Sequence, residues 1–219
     1  MRREAPDWPA DRLWLGWLLA FTLLAFALQV GASYGVWAAI NAADPTGITQ
    51  SLLLVFAVAF MWTGARSWRI SREWRVLRLS ARDGVDPDPG SWIGAHLRDH
   101  DAAIDDTARA TLLDVLADRS HGPHESAWWF NGLLLKLGLL GTVAGFVVMA
   151  TPLAQVDVLD AGQAQRLLQK MNGGMGIALF TTLAGLVANM FLGLILLMLD
   201  RSADRFLAEA SALVAARSR

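Results

Sequence analysis

The chain has 219 residues, 54% of them apolar, and a formal net charge of −1. Near-neutral charge argues against a nucleic-acid binder, and the absence of cysteine excludes disulfides and thiolate metal sites. The apolar residues come in blocks, as in a small polytopic membrane protein and unlike a soluble domain, with no repeat of fixed period and no low-complexity tract.

Residues 1–12 are polar and hold Arg2 and Arg3. An apolar run follows from Leu13 to Leu28 and continues weakly past Gln29 to Ile40. A basic start, an apolar core and the small residues Gly31 to Ser33 also fit a secretory leader. However, the run passes that point, and Glu4, Asp7 and Asp11 crowd its start, so a first membrane helix over 13–39 is preferred. Asn41 to Gly47 reads as a tight loop with Asp44, Pro45 and Gly47 as breakers. Ile48 to Ala65 is just long enough for a second span, closing a membrane pair over 13–66.

Arginines then recur at 66, 69, 72, 75, 78 and 82. They read as the cationic collar on the cytoplasmic side of a span, or as a docking strip along one side of a helix. Asp83 to Gly90 is a loop carrying Pro87 and Pro89. From Ser91 to Arg119 the apolar residues Ile104, Ala108, Leu112, Val115 and Leu116 recur at helical spacing, and His121-Gly122-Pro123-His124 breaks that pattern. The region 67–126 is too small for a large core of its own, and two helices extending the spans are expected.

Two long apolar segments follow. Leu133 to Ala150 carries one charge, Lys136, and Gly173 to Leu199 carries none. A bilayer core of ~30 Å needs roughly 20 residues of helix, so 127–199 reads as a membrane hairpin around an outer loop at 151–172. Ala164 to Met171 in that loop reads as a short interfacial helix, and 200–219 as a C-terminal helix. Arg2, Arg3 and Arg12, the arginines from Arg66 to Arg119, and Arg201, Arg205, Arg217 and Arg219 all fall on one side of such a topology. The outer loops hold only Arg166 and Lys170. Trp8, Trp14, Trp68, Trp128 and Trp129 fall near the inner interface and Trp37 near the outer one. The expected fold is therefore all-α: four transmembrane helices, a small helical cytoplasmic region, and both termini in the cytoplasm.

The hairpin has uneven faces. At ~100° per residue, Ala178, Gly185, Asn189 and Gly193 share a side with Thr182, opposite Phe180, Val187, Phe191, Leu194 and Met198. Asn131, Gly138, Gly145 and Met149 share a side with Thr142, with Gly141 at its edge. Each threonine lies about eight or nine residues from the outer end of its helix, so the two hydroxyls are expected at one level near midplane. Two readings stand for this stripe: close helix packing by small residues, and a polar lining for a conduction path.

The run Gly138-Leu-Leu-Gly141-Thr142-Val-Ala-Gly145-Phe146 resembles the third-span signature of the MotA/TolQ/ExbB ion-channel family. Gly174-Met-Gly176-Ile-Ala-Leu-Phe-Thr181-Thr182-Leu-Ala-Gly185-Leu186 resembles the signature opening that family's last span. The resemblance covers about the last third of the chain. It implies a bacterial inner-membrane, ion-driven motor: a homopentamer around two copies of an ExbD/TolR/MotB-like partner, whose single span carries an ion-binding aspartate. By motif, Thr142 and Thr182 match the threonines that face that aspartate, with Thr181 as their neighbour and Asn189 further along the ion pathway. Gly138, Gly141, Gly145, Gly185 and Gly193 would serve helix packing. No cofactor is implied beyond the transported ion, H+ or Na+, and no enzymatic activity. Four spans with a cytoplasmic middle resemble the flagellar stator more than the three-span branches.

The residues agree with this independently. The expected spans contain no acidic residue, and a threonine offers a hydrogen bond or an oxygen but cannot titrate, so a titrating carboxylate would have to come from another chain. Lys136 can snorkel or pair with Asp200. His96 and His100 stand at metal-binding spacing without a further spaced ligand pair. His121 and His124 read as loop residues.

Overall fold

The structure is a computed structural model that describes residues 12–44, 46–83, 87–88, 90–102, 105–152 and 161–217. Among these every regular element is an α-helix: α1 (Arg12–Ser33), α2 (Val36–Ala43), α3 (Ile48–Asp83), α4 (Trp92–Ala102), α5 (Asp106–Ala150) and α6 (Ala161–Arg217). Four helices are long and apolar enough to cross a membrane, within Arg12–Ser33, Ile48–Arg82, Thr111–Ala150 and Met171–Ala216. The expected leader or cytoplasmic start at 1–11, Pro45, Pro89, Ile104 and the outer loop at 153–160 lie outside the described residues, as do the side chains of Ala108, Arg166 and Lys170.

The helices differ from the sequence expectation at five places. The first span does not run unbroken over 13–39. It ends at Ser33, where Gly35 takes the left-handed conformation (φ 71) that only glycine adopts without strain, and α2 restarts at Val36. The Asn41–Gly47 loop is shorter, because α2 continues to Ala43 and the Asp44 carboxylate caps α3, accepting Thr46 N at 2.9 Å and Thr49 N at 2.7 Å. The expected interfacial helix at 164–171 is the opening of α6 itself, and 200–219 is no separate helix but the continuation of α6 to Arg217.

The fifth difference is the largest. His121-Gly122-Pro123-His124 does not end a helix; α5 runs through it for 45 residues. The break falls earlier, between α4 and α5. Pro123 has no N–H, which leaves the Arg119 carbonyl, four residues back, without its helical donor. The Arg66 guanidinium takes that place. Its Nη2 donates to Arg119 O and, at 2.9 Å, to Ser120 O. Arg66 is itself buried, at 6% exposure, and its guanidinium stacks 4.9 Å over the Trp92 ring.

The chain divides into two compact units. The first comprises 1–22, 61–127 and 195–219. Its core joins Ile70, Trp74 and Leu77 of α3 to Ile93 and Leu97 of α4, Leu116 of α5, and Leu199, Ala203 and Phe206 of α6. Trp74 meets Phe206 edge-on at 5.9 Å and donates to Ser202 Oγ at 3.2 Å. Glu73 caps α4 by accepting Trp92 N at 2.8 Å. Trp17 of α1 fills the space left by Gly64, where a β-carbon would fall 2.3 Å from its ring.

The second unit comprises 23–60 and 128–194. Phe56 and Phe60 of α3 pack with Phe191 of α6 at ring separations of 6.2 and 6.0 Å. Leu134, Ile177, Ala188 and Leu192 complete the buried side of the α5–α6 pair.

Replacing Arg66 by leucine should lower unfolding stability by about 3 kcal/mol, because it strands the Arg119 carbonyl and removes a bond to the buried Ser120 carbonyl. In a Pro123→Ala background the loss should shrink, since the N–H restored by that substitution can bond Arg119 O again. Denaturant unfolding in detergent, read by circular dichroism across this double-mutant cycle, measures the difference.

Candidate ion-pathway site on the helical hairpin

The α5–α6 pair approaches until backbone touches backbone. A β-carbon on Gly145 would fall 2.6 Å from both Ala178 N and Gly174 O, and one on Gly185 would fall 2.9 Å from Gly138 Cα and Leu134 O. On Gly138 it would sit 3.2 Å from Thr181 O, and on Gly141 it would overlap the Thr181 hydroxyl. Gly138, Gly141 and Gly145 therefore face a strip of Gly174, Ala178, Thr181 and Gly185 at alternating spacings of three and four, as small-residue helix packing requires. Gly193 is looser: a β-carbon there would lie 3.3 Å from Asn131 Nδ2.

This seam sorts the expected pathway residues. Thr181 lies inside it, with 0% exposure and its hydroxyl donating to Ile177 O at 2.8 Å. Thr142 and Thr182 lie beside it and are half-buried. Thr142 donates to Leu139 O at 2.5 Å. The Thr182 hydroxyl lies 2.9 Å from Ala178 O and 3.3 Å, across the helix pair, from Gly138 O. Because Gly138 and Gly141 meet Thr182 and Thr181, the Thr142 and Thr182 hydroxyls sit within about one turn of each other along the pair. Both hydroxyl protons are taken by helix carbonyls, which leaves oxygen lone pairs facing away from the backbone. Asn189 is half-buried and donates to Asn131 O at 2.7 Å. The Asn131 Oδ1 is buried without a hydrogen-bond partner among the described residues.

Beside Thr142 the hairpin carries an open groove of about 440 Å³, lined by Thr142, Val143, Gly145, Phe146, Met149, Gly174, Met175 and Ala178. Thr142 is its one hydroxyl, and Thr182 is not part of its wall. Sequence reasoning passed over Gly174, Met175 and Ala178 as site residues. The available signal was the spacing of Gly174, Ala178, Thr181 and Gly185, which continues the small strip one turn beyond Ala178.

Other expected sites fall differently. Lys136 is exposed. The Asp200 carboxylate, its suggested partner, lies 2.6 Å from His124 Nδ1 instead. His121 and His124 are helical, not loop residues, and His121 Nε2 meets Asp204 at 2.9 Å. His96 is buried, with its ring centroid 6.3 Å from that of His100. Burial, and then the neighbouring His100, push His96 below the usual histidine range. Among the described residues no group of three His, Cys, Asp or Glu side chains could hold a metal ion.

Gly145→Leu should unseat the hairpin, with a cost of about 1–3 kcal/mol and a lower unfolding midpoint in detergent. Gly132→Ala is the control: nothing lies within 4 Å of its β-carbon position, so its midpoint should hold or rise.

Comparison of the whole chain with curated proteins and with solved structures found no match. Residues 135–212, which take in the glycines of the seam, both half-buried threonines and every lining residue of the groove, match the model of the MotA/TolQ/ExbB proton channel family.

Proposed function

We propose that this chain is the ion-conducting subunit of an envelope energy-transducing motor in a bacterial inner membrane, with the proton as its ion. It works as a homo-oligomer, a pentamer on the family pattern, around a partner with one membrane helix. That partner supplies the aspartate that binds and releases the ion. The observation that carries this reading is a pair of half-buried threonine hydroxyls within about one turn of each other, on a hairpin whose apolar stretches hold no acidic residue and which matches the family model. Their lone pairs suit a protonated carboxyl or a cation arriving from outside the chain. The Asn131–Asn189 bond continues the polar strip. The exposed Leu139, Val143, Val147, Leu183 and Met190 suit lipid or neighbouring copies of the chain. The arginine distribution supports cytoplasmic termini, a cytoplasmic region at 67–126 and an outer loop within 151–172.

A non-conducting scaffold is the second reading. It is favoured by the way both hydroxyls bond to helix carbonyls, which a purely packed helix pair would also show. The two part on Thr182→Val, which keeps the shape and removes the oxygen. In membrane vesicles containing the chain with its partner, dye-reported proton uptake should fall at least tenfold in Thr182→Val and survive in Thr182→Ser. Unchanged uptake in Thr182→Val, with the protein still in the membrane, favours the scaffold.

A further inference from the structure

Three helices of the first unit meet at one buried histidine. His124 of α5 is 3% exposed. Its Nδ1 lies 2.6 Å from the Asp200 carboxylate of α6, and its Nε2 lies 3.5 Å from Arg66 Nε of α3. His121, one turn away on α5, stands with its ring centroid 6.0 Å from that of His124 and is itself held by Asp204 and Ser120. Among the described residues, Asp200, Arg66 and His121 are the groups whose charges act on His124.

The partners dictate the tautomer. Arginine Nε can only donate, so Nε2 of His124 must present its lone pair. The proton of the neutral ring therefore sits on Nδ1, 2.6 Å from the Asp200 carboxylate. A second proton has only Nε2 to bind, and there it would face the Arg66 N–H, donor against donor and cation against cation. The same Arg66 guanidinium holds the Arg119 carbonyl that Pro123 leaves without a helical donor, and the Ser120 carbonyl beside it. Protonation of one ring thus acts on the bond that ties α3 to α5.

We propose that His124 is a proton-accepting switch: taking a proton on Nε2, it expels Arg66 and releases α3 from α5 while its Nδ1 stays beside the Asp200 carboxylate. Only the new Nε2–H bond forms, and the proton leaves by the same atom when Arg66 returns. The source of that proton rests on the reading of the hairpin as a proton path. In sequence His124 lies eighteen residues before Thr142, and Asp200 eighteen residues after Thr182, about five helical turns in each case. No acidic or basic residue stands between Thr182 and Asp200.

His124 lies nine residues before the apolar stretch that opens at Leu133. Burial first, and then the Arg66 charge, push it below the usual histidine range, while Asp200 pulls the other way. Since the neutral form is favoured only in the folded chain, the unfolded chain takes the proton at higher pH. The contribution to stability is therefore intact above about pH 6.5 and is lost as pH falls below it.

The test is nitrogen-15 NMR of histidine in the full chain in detergent, with His124→Gln assigning the signal. At pH 7.5 the ring should be the Nδ1–H tautomer, titrating below an ordinary exposed histidine, and Arg66→Met should raise its midpoint by about one unit. An Nε2–H tautomer, or a midpoint that Arg66→Met leaves in place, overturns the switch. The wild-type tautomer decides the matter even if Arg66→Met fails to fold. Vesicle uptake supplies the second arm: His124→Gln should flatten the pH dependence of proton flux between pH 5.5 and 7.5, and an unaltered profile counts against the switch. If Thr182→Val leaves flux unchanged, the conduction reading fails while the tautomer result stands by itself.

Discussion

Two helices in this protein run so close that only small side chains fit between them along about three turns. That contact between α5 and α6 sets most of what surrounds it. Gly145 and Gly185 are glycines because another helix's backbone occupies the place of their β-carbons. In lipid, apolar side chains gain little by leaving their surroundings for one another, so association relies on such close contact and on polar bonds between helices. Thr181 is drawn into the seam, and Thr142 and Thr182 are left on its margin. A margin of this kind is where a polar group can be held by its own helix and still meet a visitor.

The first unit obeys a different constraint. A proline within a helix leaves one carbonyl without a donor, and a buried carbonyl without a donor is costly. Arg66 meets that need with a side chain from another helix, and a buried guanidinium needs partners in turn. It finds them in two carbonyls, the face of Trp92 and His124. The result ties α3, α4 and α5 through one permanently charged group, and places a titratable ring next to it. Structural repair and proton sensitivity come from the same contact.

On the proposed function these features divide the labour of an ion motor. On this reading the hairpin provides oxygen atoms within about one turn of each other but no acidic side chain in its apolar stretches, and so depends on a carboxylate carried by another chain. The histidines lie instead in the first unit, beside carboxylates and a guanidinium, where protonation has mechanical consequences. A site that combines non-titrating oxygens with a borrowed acid couples ion transfer to the position of the partner, which suits work done on the envelope.

Much of this was legible in the residues alone. Four apolar blocks of spanning length, a one-sided arginine distribution and a small polar stripe around Thr142 and Thr182 all follow from periodicity and solvent preference, which act residue by residue. The family signatures lie on the same stripe. Helix breaks were less legible, because they depend on partners far along the chain. Gly122-Pro123 reads as a breaker until Arg66, more than fifty positions earlier, replaces the missing donor. Gly35, unremarkable in sequence, breaks a span because its backbone takes a left-handed turn. Likewise, the choice of His124 over Lys136 as the companion of Asp200, and the division of Thr181 from Thr182 into seam and margin, were decided only when three helices packed. Composition and period determine which surfaces must be hidden from water; which polar atoms then meet depends on distances that exist only in the folded chain.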